Sequence, residues 1–478
     1  MANEKQKTSG KTGKGNASSF IAKSSVKAAD LDHRRKINFN ISRYNAVVPL
    51  GKQQFASLET AREQAKNLKW EAIGQLDKML EEFELNFSKR GGKVIWAETA
   101  DDALKEILAI CQEANCKTLI KSKSMVTEEI HLNAFLENNG IESIESDLGE
   151  YIQQLDGEAP YHIVTPAMHK SKEDVAKLFA NKLGTEPNLN PEQLTQVARH
   201  KLRQKYVEAE VGVTGANFLI AGSGSIAVTE NEGNGRLSCG FPNIHIAIVG
   251  IEKVIPSLSD LGLFWPLLAT YGTGQQMTVY NSIISGPRQK NETDGPAKMY
   301  VILLDNGRTE LLANAKSREA LYCIRCGSCL NACPVYKNIG GHSYGSTYSG
   351  PIGKVITPWL SGMHQYKHLS YASSLCGNCT EVCPVRINLH ELLLENRHEA
   401  VVSGESDLSE RLAWKIWKTA SLHRSMMNGG NGNLKNKLVN GLFKKWTKHH
   451  APLDFAPKTF NEQWKESRKE NSKTSGQE

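Results

Sequence analysis

Seven of the ten cysteines in this 478-residue chain lie between Cys323 and Cys383, in two short segments. The first segment, CIRCGSCLNACP at 323–334, has the spacing C-x2-C-x2-C-x3-C-P, which is typical of a module that binds two iron–sulfur clusters. The second segment, SSLCGNCTEVCP at 373–384, repeats the pattern with one cysteine fewer. Cysteines crowded in this way in a reducing compartment indicate metal ligands rather than disulfides. The chemistry that they predict is one-electron transfer.

The spacing also predicts which cysteines share a cluster. Two-residue gaps let one tight loop wrap three corners of a cubane, whereas the last cysteine, which precedes a proline, points to the neighbouring cluster. Paired zinc sites are the alternative, but zinc prefers two CxxC pairs or mixed Cys/His sets that close one tetrahedron. The sequence therefore predicts two clusters, most simply [4Fe–4S], one with the ligands Cys323, Cys326, Cys329 and Cys383 and the other with Cys333, Cys376 and Cys379.

The second predicted cluster lacks a fourth cysteine ligand, because Ser373 occupies the position equivalent to Cys323. Three interpretations stay open: a [3Fe–4S] cluster, a four-iron cluster with the Ser373 oxygen or water on one iron, or a ligand from elsewhere in the chain. The candidate donors outside the second segment are Cys239, His342, His364 and His368. Nothing else in the module has a catalytic pattern, so electron relay is favoured over substrate binding at an open iron.

The cysteines follow a region with the pattern of an α/β domain. Short apolar runs alternate there with helical patterns, which is typical of a parallel sheet covered on both faces. The predicted strands are at 93–97, 118–120, 141–144, 161–164, 217–220, 225–228, 245–249, 277–284 and 299–304. The predicted helices are at 55–88, 103–114, 126–138, 171–183 and 191–208. The sequence thus predicts a helical segment at 36–69, an α/β domain at 70–310 and an all-α two-cluster ferredoxin-like module at 311–402.

The formal net charge of +7 is concentrated at the two ends of the chain. Residues 1–36 carry nine Lys/Arg against three acids, and residues 411–450 carry nine Lys/Arg with no acid. The rest is acidic, which argues against a nucleic-acid role for the folded middle. Composition predicts a flexible basic arm at 1–35 and a basic C-terminal helical segment and tail at 403–478. Because a secretory signal and an apolar run of about 20 residues are both missing, we expect a cytoplasmic protein.

The combination of motifs resembles one known family. The segment VTGANFLIAGSGSIAVTENEGNGRLS, which ends at Ser238, is followed by the segments CIRCGSCLNACPVY and LCGNCTEVCPV. In these motifs, over about residues 35–460, the chain resembles the lactate utilization protein B family. The resemblance implies a coenzyme A transferase-like LUD domain and an iron–sulfur subunit of a three-protein complex that oxidises L-lactate to pyruvate. It also implies LutA-like and LutC-like partner subunits, and the same cysteine ligands with three at the second site.

Three hypotheses for function follow. The leading one is electron transfer, in which electrons from lactate or another 2-hydroxy acid pass towards a quinone or another carrier. In the second, the α/β domain is itself a coenzyme A transferase-like enzyme with Glu230 as nucleophile, although a glutamate in a polar turn between strands is the favoured interpretation. In the third, the basic C-terminal segment docks a partner or contacts an anionic membrane surface through Trp414, Trp417 and Trp446.

Overall fold

The computed structural model describes residues 12–429, 431–442, 444–447 and 450–474. The chain divides after Ser403 into two compact units. The first unit begins with four helices: α1 Thr12–Ala29, α2 Leu31–Lys52, α3 Leu58–Gly74 and α4 Leu76–Ser88. The α/β region follows, with β1 Lys93–Ala97, α5 Ala100–Glu113, β2 Thr118–Lys121, α6 Met125–Glu129, α7 Leu132–Asn138, β3 Glu142–Glu145, α8 Leu148–Asp156, α9 Lys172–Leu183, α10 Pro191–Glu208, β4 Val211–Thr214, β5 Phe218–Ile220, β6 Ser225–Glu230, α11 Asn234–Gly240, β7 Ile244–Gly250, β8 Val254–Ile255, α12 Leu261–Thr273, β9 Tyr280–Ile284 and β10 Lys298–Leu304.

A helical module completes the first unit. Its helices are α13 Arg308–Ala313, α14 Ser328–Ala332, α15 Pro334–Ile339, α16 Gly350–Leu360, α17 Met363–Tyr366, α18 Asn378–Glu381 and α19 Leu389–Val402. Short 3-10 helices lie at Ile251–Lys253, Leu258–Asp260, Ser317–Tyr322, His342–Tyr344 and Lys367–Tyr371. The predicted fold class, an α/β domain followed by a helical module, is confirmed.

Six strands form a parallel sheet in the order β1-β10-β7-β4-β2-β3. The strand β7 lies near the middle with every residue buried, and its register with β10 places Met299 opposite His245. A strand that is covered on both faces has little room for polar side chains, which explains the run IHIAIVG. The one histidine in this run is satisfied because its Nε2 lies 2.8 Å from the hydroxyl of Thr214.

A second sheet has the order β8-β5-β6-β9 and is mainly antiparallel. The predicted strands at 217–220, 225–228 and 277–284 lie here, and the sequence did not separate them from the parallel sheet. Gly224, with φ of +56°, forms the turn between β5 and β6. A Cβ at this position would lie 2.2 Å from the backbone nitrogen of Phe87, so α4 packs directly against the turn.

Three predicted elements differ in the structure. The helix predicted at 126–138 is interrupted at His131, with φ of +54°, and forms α6 and α7. The predicted strand at 161–164 is wrong, because His162 Nδ1 accepts hydrogen bonds from the backbone N–H groups of Val164 at 3.1 Å and Thr165 at 3.3 Å. Such local bonds compete with a strand ladder. The single helix predicted at 55–88 is two helices, because Gln75 leaves helical geometry with φ of −122° and ψ of 32°.

Within the flexible arm predicted at 1–35, residues 12–29 lie in α1 and residues 31–35 lie in α2, whereas residues 1–11 lie outside the described residues. Contacts with residues far along the chain stabilise these helices, and amino-acid composition alone does not predict such contacts. The ring of Phe20 lies 5.9 Å from that of Tyr344, and His33 Nε2 lies 2.6 Å from the hydroxyl of Tyr161.

A buried ion network joins the α/β domain to the helical module. Arg308 is 1% exposed, and its guanidinium donates to both carboxylate oxygens of Glu129, at 2.8 and 3.0 Å, and to Glu252 at 2.6 Å. The hydroxyl of Tyr348 in the module donates to Glu129 at 2.6 Å. Burial alone would raise the pKa of Glu252, but the cations beside it, above all Arg308, lower that pKa to about 2. Both carboxylates are therefore held ionised by one guanidinium.

We expect Arg308→Met to lower the free energy of unfolding by about 3–5 kcal/mol, because two buried carboxylates lose their partner. Urea denaturation followed by circular dichroism measures the change. Arg308→Lys is the control: it keeps the charge but not the bidentate geometry, so its loss of stability should be intermediate. A Met variant as stable as the original chain would contradict the assignment of this network as a structural link.

The described residues of the second unit contain the helices α20 Leu408–Leu422, α21 Arg424–Asn428, α22 Gly432–Leu442, α23 Lys444–Thr447 and α24 Phe460–Thr474, and residues 450–459 form no helix. Trp414 and Trp417 lie exposed on α20, and Trp446 lies in α23. Across the described part of the chain, we find no helix whose length and apolar character would let it cross a membrane.

Candidate metal centre

The first cysteine segment forms a tight loop between the 3-10 helix Ser317–Tyr322 and α14. Its backbone turns at Arg325 and Gly327, whose φ angles are +62° and +79°. Glycine adopts this left-handed region readily, whereas an arginine there is strained, and such strain is concentrated at functional sites. The loop and the second segment together line one small cavity with four thiols, those of Cys323, Cys326, Cys329 and Cys383.

Apart from Arg325 and Gly327, the rest of this small cavity is apolar, with walls that include Ile163, Ile324, Ile352, Val385, Ile387 and Leu389. Backbone N–H groups point at the sulfurs: that of Arg325 lies 3.4 Å from Cys323 Sγ and that of Ile387 lies 3.3 Å from Cys383 Sγ. Burial raises the pKa of Cys383 to about 12. A thiolate in this position therefore needs a cationic partner, and four thiols around one dry cavity fit an iron–sulfur cluster.

The other three cysteines lie around a buried lysine. Lys354 is fully buried, and its Nζ lies 3.8 Å from Cys333 Sγ. Burial and the neighbouring Cys333 raise the pKa of Cys379 to about 11, an effect that Lys354 opposes. Cys376 is exposed, and the backbone N–H of Asn378 lowers its pKa. The structure thus brings these cysteines together, with one corner open to solvent.

Two serines, Ser373 and Ser374, lie close to the exposed Cys376 in the chain. The sequence analysis left open the fourth ligand of the cluster that Cys376 is predicted to bind. The hydroxyl of Ser373 accepts a hydrogen bond from the backbone N–H of Leu375 at 3.1 Å. The side chain of Ser374 hydrogen-bonds Cys376 and contributes to its lowered pKa. Both hydroxyls therefore belong to the loop that carries this cysteine.

Two of the other candidate donors, Cys239 and His368, contact residues elsewhere in the fold. Cys239 is buried in α11, with its Sγ 3.4 Å from Nδ1 of His245 in the α/β domain. The ring of His368 packs 5.5 Å from that of Phe20 in α1. His364 lies in α17.

The fourth candidate, His342, lies in a separate group of polar side chains. Its Nε2 is 2.7 Å from the carbonyl oxygen of Ala159, and its ring lies 5.0 Å from that of His169. Glu158, His169 and His342 have donor atoms within 4.8 Å of one another, but the ammonium of Lys170 already lies 2.9 Å from the Glu158 carboxylate. This group is therefore neutralised by a lysine.

A larger cavity of about 520 Å³ adjoins the first cysteine segment. It lies between the α/β domain and the module, and the module contributes Arg325, Cys326 and Tyr348 to its walls. The charged residues that the α/β domain contributes are Lys123, Asp147, Glu230, Glu232, Glu252 and Lys253. Sequence reasoning missed Lys253 and Arg325. For Arg325 a signal existed, since it lies between two predicted ligands, whereas Lys253 follows a strand like any surface lysine.

Glu230 lies in the wall of this larger cavity, at the end of β6. Its two carboxylate oxygens accept hydrogen bonds from the backbone N–H groups of Gly235 at 2.6 Å and Arg236 at 2.9 Å. Burial raises its pKa. These bonds hold the first turn of α11 in place, and the hypothesis of a nucleophilic Glu230 stays a prediction.

The parallel α/β domain and the paired cysteine groups define a class of protein, a two-cluster iron–sulfur protein. Residues 80–304 match the LUD domain model, and residues 319–387 match the 4Fe-4S dicluster domain model. The cofactors are therefore iron–sulfur clusters, as the cysteine spacing predicted. "Lactate utilization protein B" of Bacillus velezensis is 44% identical over 381 residues, which cover 79% of this chain and 80% of that protein. This chain belongs to the lactate utilization protein B family.

Further comparisons give the extent of this similarity. "Lactate utilization protein B" of Bacillus cytotoxicus is 41% identical over 429 residues, 87% of this chain and 90% of that protein. Among solved structures, a DUF162 family protein from Deinococcus radiodurans matches 48% of this chain and 98% of that chain, with 13% identity and a TM-score of 0.28.

Proposed function

We propose that this chain is the iron–sulfur electron-transfer subunit of a complex that oxidises L-lactate to pyruvate. The family relatives carry the name lactate utilization protein B, which supports a role in lactate utilization. Iron–sulfur clusters supply one-electron transfer when bound. Under this proposal the partners are LutA-like and LutC-like subunits, with a quinone or another carrier as electron acceptor.

The proposal assigns the seven cysteines as ligands, with Cys323, Cys326, Cys329 and Cys383 for one cluster and Cys333, Cys376 and Cys379 for the other. The shared cavity of the first four supports the first set. The effects of Cys333 and Cys376 on the pKa of Cys379, together with the contact between Lys354 and Cys333, support the second set.

The observation that carries the proposal is the closeness of the two cysteine groups. The ammonium of Lys354 contacts Cys333, and its pKa is also affected by Cys379 of the second set and Cys329 of the first. One buried side chain therefore lies near both sets. Two redox centres in one small helical module suit relay, since chemistry on carbon generally needs a further cofactor.

The test is purification without oxygen, followed by quantification of iron and sulfide and by EPR of oxidised and reduced samples. We expect iron and sulfide for two clusters, and a three-iron signal in the oxidised sample if the second set keeps only its cysteine ligands. Reduction of the clusters by L-lactate in the presence of the partner subunits completes the test. Colourless protein, or zinc in place of iron, would contradict the proposal.

A further inference from the structure

The cavity of about 520 Å³ has the size and position of a small-molecule site. Ligand sites of about 300–1,000 Å³ are typical of proteins, and they occur preferentially between domains. This cavity lies between the α/β domain and the module, and the predicted cluster ligand Cys326 forms part of its wall. A molecule bound there would lie beside the first cysteine set.

One wall of the cavity has positive charge that the protein does not use. Lys253 is 6% exposed and makes no hydrogen bond or ion pair with any residue that the structure describes. Arg325 contacts Glu252 through Nη2 at 3.3 Å, but its Nη1 is buried with no acceptor among the described residues. The Glu252 carboxylate is already bound by Arg308 at 2.6 Å. Two buried cationic groups are thus left to share one engaged carboxylate.

Unsatisfied buried cations are unfavourable, so this wall is suited to an anion. The ring of Tyr348 lies 4.6 Å from the Arg325 guanidinium and holds its orientation, while the strained backbone fixes its position. Elsewhere the lining includes the carboxyl groups of Asp147, Glu230 and Glu232, together with Lys123, whose ammonium donates to the carbonyl oxygen of Val164 at 2.8 Å. Burial raises the pKa of both Glu230 and Glu232. Carboxyl side chains accept hydrogen bonds from hydroxyl groups, and when protonated they donate to carbonyl oxygens. The lining therefore favours a ligand with an anionic end and a neutral polar end.

We propose that this cavity binds a small organic carboxylate through Lys253 and Arg325, next to Cys326. The inference goes beyond the proposed function by placing a carboxylate-binding site in this chain, and it rests on that function only in taking Cys326 as a cluster ligand. A 2-hydroxy or 2-oxo acid has both required groups, a carboxylate and an adjacent oxygen. The competing explanation is that these cations only balance the charge of Cys323, which affects the pKa of both Lys253 and Arg325.

The test is equilibrium dialysis of the full chain, isolated without oxygen, against radiolabelled pyruvate, L-lactate or inorganic phosphate. We expect saturable binding of one molecule of pyruvate or L-lactate per chain. Lys253→Met should weaken it about tenfold or more, since a charge-assisted hydrogen bond contributes about 1.5–3 kcal/mol. Lys253→Gln, which keeps a donor, should bind with intermediate affinity. Ligand addition should also change the EPR line shape of the cluster that Cys326 binds.

Lys69→Met is the matched control, because Lys69 is buried beside the same Cys323 but donates to the carbonyl oxygens of Glu252 and Val254 and does not line the cavity. It should keep carboxylate binding. Binding of phosphate alone, absence of carboxylate binding, or equal effects of the Lys69 and Lys253 variants would overturn the inference. Iron and sulfide are measured on the same samples, and missing clusters would contradict the proposed function. The dialysis result tests ligand binding in the cavity independently of the cluster content.

Discussion

Cys383→Ser should remove the cluster whose other three ligands lie in the first segment and leave the second cluster in place. The reason is geometric: Cys383 comes from the second segment, yet it lines the same cavity as Cys323, Cys326 and Cys329. Serine oxygen is a much poorer iron ligand than a thiolate, and the cavity offers no other donor side chain among the described residues that line it. Iron and sulfide should therefore fall to about half, because one of two clusters is lost.

The reciprocal variant makes this prediction specific. Cys333 lies in the first segment, but its sulfur lies near Lys354 and Cys379. The variant Cys333→Ser should therefore damage the cluster that the second segment binds. EPR of the reduced variants distinguishes the two clusters by their signals. If each variant instead lost the cluster of its own segment, the cross-over assignment would be wrong.

Cys239→Ser is the control for both cysteine variants. Cys239 is buried like the ligand cysteines, but its thiol contacts His245 within the α/β domain. We expect both EPR signals and the full iron content to persist. Loss of the second cluster in this variant would identify Cys239 as the missing fourth ligand and would require a different arrangement of the second set.

The parts of the structure that the sequence predicted well are those that local pattern determines. The ligands of a cluster within one loop can be predicted from the spacing of the cysteines in that loop. Short apolar runs predict buried strands, because a strand covered on both faces excludes polar side chains. The strand predicted at 161–164 failed because the ring of His162 bonds backbone N–H groups that a ladder would have used. This competition for backbone N–H groups depends on one side chain, so it leaves no periodic pattern in the sequence from which it could be predicted.

The features that the sequence did not predict depend on contacts between distant segments. The helix α1 has few apolar residues, yet Phe20 packs on Tyr344, which lies far along the chain. The cationic wall of the larger cavity has the same origin, since Lys253 and Arg325 come from different domains. From sequence alone, a charged residue in the connection between two elements is expected at the surface, because the sequence does not show that a neighbouring domain covers it.

Lys354→Met should lower the reduction potential of the second cluster on the order of 100 mV. Lys354 is fully buried, and its ammonium lies 3.8 Å from Cys333 Sγ. Burial lowers the pKa of this lysine, while the neighbouring cysteines favour its charged form. At an effective dielectric constant of about 20, a positive charge a few ångströms away stabilises the added electron by a few kcal/mol. For a one-electron couple, about 59 mV corresponds to a tenfold change in the equilibrium constant of reduction, so the expected shift is on the order of 100 mV. Removing the charge therefore makes reduction harder.

Lys354→Arg separates charge from packing in this experiment. It keeps the positive charge, so its potential should lie close to that of the original chain even if the core is disturbed, whereas the Met variant preserves packing and loses the charge. Redox titration monitored by EPR measures both clusters in one sample. Lys354 interacts with Cys379 of the second set and, more weakly, with Cys329 of the first set. The reduction potential of the first cluster should therefore shift in the same direction by a smaller amount. Unchanged potentials in the Met variant would mean that the lysine is neutral in the folded protein, and the second cluster would then depend on backbone N–H groups alone.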